Sequence, residues 1–158
     1  MRPRARRVGE GVTSVLEALE PRMLVTWWDE PEPQPEGFPI DGEYAARFWL
    51  PIVGPSAMWI ARLLAREVKL APFGGVWLDM ASVAVSVGLH DDLSKSGAAA
   101  NAVFRLVRYG LARREGSVLE LRAVVGHVPP GMTKRFPLAL QRAAEKARMG
   151  THHSLGVG

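Results

Sequence analysis

Over residues 78–125 the spacing of apolar residues changes in a set order, and that order constrains the fold more than any other feature of the chain. Asp79 is followed by Met80, Ala81, Val83, Ala84 and Val87, a helical spacing. The Asp79 carboxylate is placed to accept from the free amides of the first turn. Gly88 stands where a helix end favours a left-handed residue, and residues 90–93 read as a turn. A second helix is predicted over 94–109, capped by Ser94 or Ser96. Its buried side is Ala99, Ala102, Val103, Leu106 and Val107, and Gly110 ends it. The pattern then turns extended. Residues 111–114 and 118–125 predict two strands, with Glu115, Gly116 and Ser117 as a hairpin turn.

A further helix is predicted just before this unit, over 56–67. Pro55 suits its first turn, where a missing N–H costs nothing, and Ala57, Ile60, Ala61, Leu64 and Ala65 form its stripe. The most apolar run, 48–61, lies between Arg47 and Arg62 and is broken by Pro51, Gly54 and Pro55. A spanning helix needs about 20 apolar residues, so the run reads as core and no membrane partner is expected. A short helix is predicted over 12–24, with Thr13 or Ser14 as cap, Val15, Leu16 and Leu19 as stripe, and Pro21 near its end. A last helix is predicted over 138–149.

Charge divides the chain further. Residues 29–43, DEPEPQPEGFPIDGE, are acidic and proline-rich, a composition that reads as a linker. Arg2, Arg4, Arg6 and Arg7 stand among Pro, Ala and Gly, which suits a solvated tail better than an arm on phosphates or the minor groove. No clean apolar run follows them, so no secretory signal is read. The expected organisation is a disordered basic arm (1–11), an N-terminal helix and acidic linker (12–43), a main domain (44–125), a C-terminal helical extension (126–149) and a flexible tail (150–158).

The formal net charge of +4 favours anionic partners. The absence of cysteine excludes disulfides, thiolate metal sites and a cysteine nucleophile. It fits a reducing, cytoplasmic setting.

The words MASVAVSVGL, AVFRLVRYGLARREG and VLELRAVV resemble the winged helix-turn-helix of bacterial transcription regulators. The family's run into the wing is matched by Arg105, Leu106, Gly110 and Leu111. The resemblance implies a mostly α, α+β winged helix-turn-helix with a two-stranded β-hairpin wing. It implies a duplex DNA-binding protein in transcription regulation. The helix at 94–109 would enter the major groove, and the wing at 111–125 would lie on the backbone. Lys95, Ser96, Ala98 and Asn101 would face bases, Asn101 with the geometry to pair with adenine. Arg105 and Arg108 would reach phosphates, and Arg113 and Arg114 would hold the backbone or minor groove from the wing tip. Such regulators commonly dimerise, so a homodimer is a candidate state.

Two departures matter. The turn from Gly88 to Ser94 is longer than the usual connection. The helix start, residues 97–100, is Gly-Ala-Ala-Ala and lacks long polar side chains. The alternative is a winged helix that docks a protein in a replication, phage or mobile-element complex, through Trp27, Trp28 or another apolar patch. No enzyme is read here, and no cofactor or metal is assigned. His90, Asp91 and Asp92 are adjacent on a turn and suit capping better than catalysis. His152 and His153 lie in the tail, and Gly74 and Gly75 lack the lysine of a phosphate loop.

Overall fold

The computed structural model describes residues 15–30 and 37–155, with side chains as far as Gly150. The expected arm at 1–11 lies outside the described residues, as do 31–36 of the acidic linker and 156–158 of the tail.

The fold is α+β. A four-stranded sheet has the order β3-β1-β5-β4, where β1 is Arg22–Trp27, β3 Gly75–Asp79, β4 Ala112–Glu115 and β5 Val118–Leu121. Between β1 and β3 come the short β2 (Phe38–Pro39), a π-helical turn at Ala45–Trp49, α1 (Leu50–Val53) and α2 (Pro55–Leu70). After β3 come α3 (Met80–Ser86) and α4 (Ala98–Arg108), and then the hairpin of β4 and β5. The strand β6 (Val124–Val125), α5 (Pro130–Thr133) and α6 (Leu138–Leu155) complete the chain.

The sheet buries one face. Met23 and Val25 of β1 and Leu119 and Leu121 of β5 are fully buried, and parallel register sets Val25 opposite Leu119. The alternation that puts these residues inward is the period-two signature of a half-buried strand. Against them pack Ile60, Ala61, Leu64, Ala65 and Val68 of α2, Met80 and Val83 of α3, and Leu106 of α4. Met58 of α2 is buried as well, while Trp59 is exposed. Phe48 and Trp49 join the core from the π-helical turn, and Trp49 Nε1 donates to the Gly126 carbonyl at 2.9 Å. Gly54 breaks α1 from α2 at φ +90°, a conformation that L side chains rarely adopt.

Several expectations are corrected. Of the helix placed over 12–24, residues 15–20 are irregular and 22–27 are β1. Thr26 is β-branched and Trp27 aromatic, and the alternation of buried Met23 and Val25 favours a strand paired on both sides over a helix that Pro21 would interrupt. The span 29–43 is not all linker: Phe38–Pro39 pairs antiparallel with Val124–Val125, Ile40 is fully buried, and the Asp41 carboxylate accepts from Lys69 Nζ. The strand placed over 118–125 ends at Leu121, and its last two residues belong to the small second sheet. The pattern predicts no strand over 75–79, where β3 runs. The last helix runs to Leu155, so the first residues of the expected tail are helical.

Candidate nucleic-acid interface

Asp79 ends β3 and caps α3, as its position implied. Its Oδ1 accepts from the N–H of Ala81 at 3.1 Å and of Ser82 at 3.4 Å. The connection to α4 is a built turn. Asp92 Oδ1 accepts from the Ser94 N–H at 2.9 Å, and its hydrogen bonds with Ser94 hold the carboxyl below its ordinary range. His90 Nδ1 stands 3.7 Å from Asp91 Oδ1, with both side chains exposed.

The helix α4 begins at Ala98, not Ser94. Its N-cap is Gly97, which makes no side-chain cap, so neither Ser94 nor Ser96 caps it. Their hydroxyls instead lie 3.1 Å from each other. The buried Gly97 is enforced by space: a Cβ there would stand 2.3 Å from the Asp92 carbonyl oxygen. Ala99, Ala100, Ala102, Val103 and Leu106 face the core. Ala98, Asn101, Arg105 and Arg108 therefore fall at i, i+3, i+7 and i+10 along one exposed face. Lys95 and Ser96 are exposed on the turn just before it.

These side chains differ in how free they are. The Asn101 amide donates to the carbonyls of Gly97 at 2.9 Å and Lys95 at 3.3 Å, so it secures the turn. Arg105 Nη1 donates to the Val53 carbonyl at 3.4 Å, anchoring α4 to the corner between α1 and α2. The Arg108 guanidinium lies 5.8 Å from the Tyr109 ring centroid.

The hairpin departs most from expectation. Its two-residue turn is Gly116 and Ser117, with Gly116 at φ +58°, the positive φ that such turns require. Arg113 and Arg114 therefore lie within β4 and not at the tip. Arg113 sits opposite Glu120 in the register and bonds its carboxylate. Its guanidinium also lies 5.0 Å from the Trp28 ring, which Arg122 covers from 4.0 Å while pairing with Glu30. Trp28 is thus half-buried in a charge-compensated ladder. Arg114 points elsewhere: its Nη2 donates to the Ala18 carbonyl at 2.8 Å and its Nε to the Gly116 carbonyl at 3.0 Å. Sequence reasoning missed this ladder, although a two-residue turn at 116–117 sets Arg113 opposite Glu120 by counting.

The large exposed apolar side chains lie elsewhere. Trp59, Phe73 and Trp77 are 59%, 96% and 50% exposed. Trp59 also lines an open groove of about 1010 Å³ with Arg62, Leu63, Arg66 and Val87. Among the described residues no group of three or more His, Asp or Glu could hold a metal ion, and no helix is long and apolar enough to cross a membrane. No family model, curated protein or solved structure matches this chain.

Proposed function

We propose that the chain is a winged-helix protein that binds duplex DNA through α4, in the service of transcription regulation in the cytoplasm. The observation that carries this reading is the exposed face of α4 and its charge. Lys95 on the turn and Arg105 and Arg108 on the helix stand on this side, and residues 93–114 contain no acid. A helix presented with one such face fits the major groove, and its cations release counterions from the backbone. The order α2, β3, α3, α4 and hairpin is that expected of a winged helix, with β1 as an added strand between β3 and β5.

The face suggests modest sequence selectivity. Ala98 offers only a methyl contact, and the Asn101 amide is committed to its own turn. Lys95 and Arg108 carry the affinity, so binding depends on salt more than on sequence.

The experiment is fluorescence anisotropy of a labelled random-sequence duplex with the wild type and with Lys95→Glu/Arg108→Glu. The wild type binds at 50 mM salt, and the variant loses at least tenfold in affinity with unchanged thermal stability. Equal binding by both would remove α4 from the interface. A second reading, a protein-docking module, is favoured by the exposed Trp59, Phe73 and Trp77. It shifts from the expected Trp27 and Trp28, which are half-buried. Under that reading, Trp59→Ala and Phe73→Ala abolish capture of a partner and leave DNA binding untouched.

A further inference from the structure

The two edges of the four-stranded sheet are built differently. At one edge β4 reads Ala-Arg-Arg-Glu, charged at all but its first residue. At the other, β3 reads Gly-Val-Trp-Leu-Asp, and from Leu70 to Leu78 the sequence carries no charge. Charge on an edge strand guards it against pairing with a further strand. The edge at β4 has that guard and the edge at β3 lacks it. Trp77, at the centre of β3, is 50% exposed, and Phe73 just before the strand is 96% exposed.

The register fixes which backbone groups of β3 point outward. In an antiparallel pair, opposed residues alternate between those that exchange both hydrogen bonds and those that exchange none. The Met80 N–H donates to the Pro21 carbonyl at 2.9 Å, and this pair continues the register in which Arg22 faces Asp79. Met80, Leu78 and Val76 therefore turn their backbone groups toward β1, whereas Asp79, Trp77 and Gly75 turn theirs away. The far side of β1 agrees. Its Leu24 N–H, and the Trp28 N–H just beyond it, donate to the Ser117 and Leu121 carbonyls, so the even positions serve β5 and the odd ones serve β3. Among the described residues no strand lies along the outer edge of β3.

This edge is complementary to itself. A second β3, run antiparallel about a two-fold axis at Trp77, sets the two Trp77 residues opposite each other as a pair that exchanges both bonds. Gly75 of each copy then faces Asp79 of the other. The Trp77 side chain shares the face of Leu24, away from the buried Met23 and Val25. The two indoles therefore lie side by side as an aromatic cross-strand pair. The two Asp79 residues stand four positions apart along the paired strands, about 14 Å. That exceeds the Debye length of about 8 Å at physiological salt, so their repulsion is screened. An uncharged edge selects no oppositely charged partner, and its own sequence satisfies it.

We propose that two copies of this chain pair through β3, antiparallel and centred on Trp77, joining their sheets into one of eight strands. The inference gives an interface to the homodimer that the resemblance implied, and it does not depend on α4 meeting DNA. A single paired edge falls at the small end of interface sizes, below about 1,200 Å², so the association is weak and concentration-dependent.

Sedimentation equilibrium of the full chain tests it from about 1 to about 500 µM, a span that brackets a weak interface. The mass rises from that of one chain to that of two. Trp77→Lys places a charge at the centre of the edge and weakens self-association at least tenfold, with thermal unfolding showing that the variant is folded. Amide hydrogen exchange of the wild type reads the register without any variant. The Gly75 and Trp77 amides exchange fast at low concentration and at least tenfold more slowly at high concentration. The Val76 and Leu78 amides, bonded to β1, are protected at both. A single-chain mass at every concentration would overturn the self-pairing and leave the edge to a strand of another protein. Self-association undiminished by Trp77→Lys, or Gly75 and Trp77 amides equally fast at both concentrations, would place the contact on another surface and overturn it as well.

Discussion

Replacing Gly97 with Ala tests how the turn before α4 is built. The backbone at Gly97 is extended, φ −77° and ψ 153°, so Ala is conformationally acceptable there. Space is what forbids it. The added Cβ would stand 2.3 Å from the Asp92 carbonyl oxygen and 3.1 Å from both the Asp92 carbonyl carbon and the Ser94 carbonyl oxygen. An ordinary carbon–oxygen approach is about 3.3 Å, so the backbone must open by about 1 Å. None of these atoms is the end of a flexible side chain. The turn is tied down by the Asp92 to Ser94 hydrogen bond and by the bond from Leu19 to Leu93, at 2.9 and 2.8 Å. Overpacking of this kind costs about 1–3 kcal/mol, and weakening one of those bonds adds about 1 kcal/mol. Alanine is a poorer N-cap than glycine, which adds about 0.5 kcal/mol. The expected destabilisation is about 2–4 kcal/mol, or roughly 5–15 °C in Tm for a chain of this size. Urea unfolding followed by circular dichroism reads it as a lower midpoint at unchanged slope. Gly131→Ala is the control, since nothing lies within 4 Å of its Cβ position. It should be neutral or slightly stabilising. A Gly97→Ala variant within about 0.5 kcal/mol of wild type, the scatter expected of an unconstrained surface site, would refute the tight turn.

Three further outcomes are expected. Leu106→Ala empties a fully buried site where α4 meets the core and should cost about 2–5 kcal/mol by denaturant titration. Asp79→Ala removes the cap of α3 and should cost about 0.5–2 kcal/mol, whereas Asp79→Asn should retain most of that stability. Asp41 is held below its ordinary value of 3.8, chiefly by its hydrogen bond from Lys69. A depressed folded-state value contributes stability that is present above pH 3.8 and lost as pH falls through it. Asp41→Asn should therefore be less stable at pH 7, by no more than about 1 kcal/mol for a pair this exposed, and the two curves should converge as the pH is lowered below 3.8.

What the sequence disclosed depended on how local the physics is. The buried stripe of α2 and the cap at Asp79 rest on contacts within a few residues, and both are found where the pattern set them. The strand β1 rests on partners far along the chain, Val76 in β3 and Leu119 in β5, and no periodicity within 15–27 announces them. Val15, Leu16 and Leu19 offered a helical spacing that Leu19 satisfies differently, by sinking into the core as part of an irregular segment. The strand β3 has five residues directly after a glycine turn, too short for its alternation to stand out. The face of α4 followed from its period, but the state of its side chains did not. Asn101 meets two carbonyls only because the chain turns back before Gly97. Arg114 finds Ala18 across 96 positions of sequence. The pairing of Arg113 with Glu120 was within reach of the sequence, since Gly116 marks the turn and the turn sets the register.

The central claim is that α4 and the turn before it present their exposed side, from Lys95 to Arg108, to duplex DNA. The most direct measurement is the set of backbone amide NMR shifts of the full chain as an unlabelled random-sequence duplex is added at low salt. The account predicts that shifts concentrate on Lys95, Ser96, Ala98, Asn101, Arg105 and Arg108 and reverse on raising the salt. Shifts confined to the surface around Trp59, Phe73 and Trp77, or none at all, would contradict it.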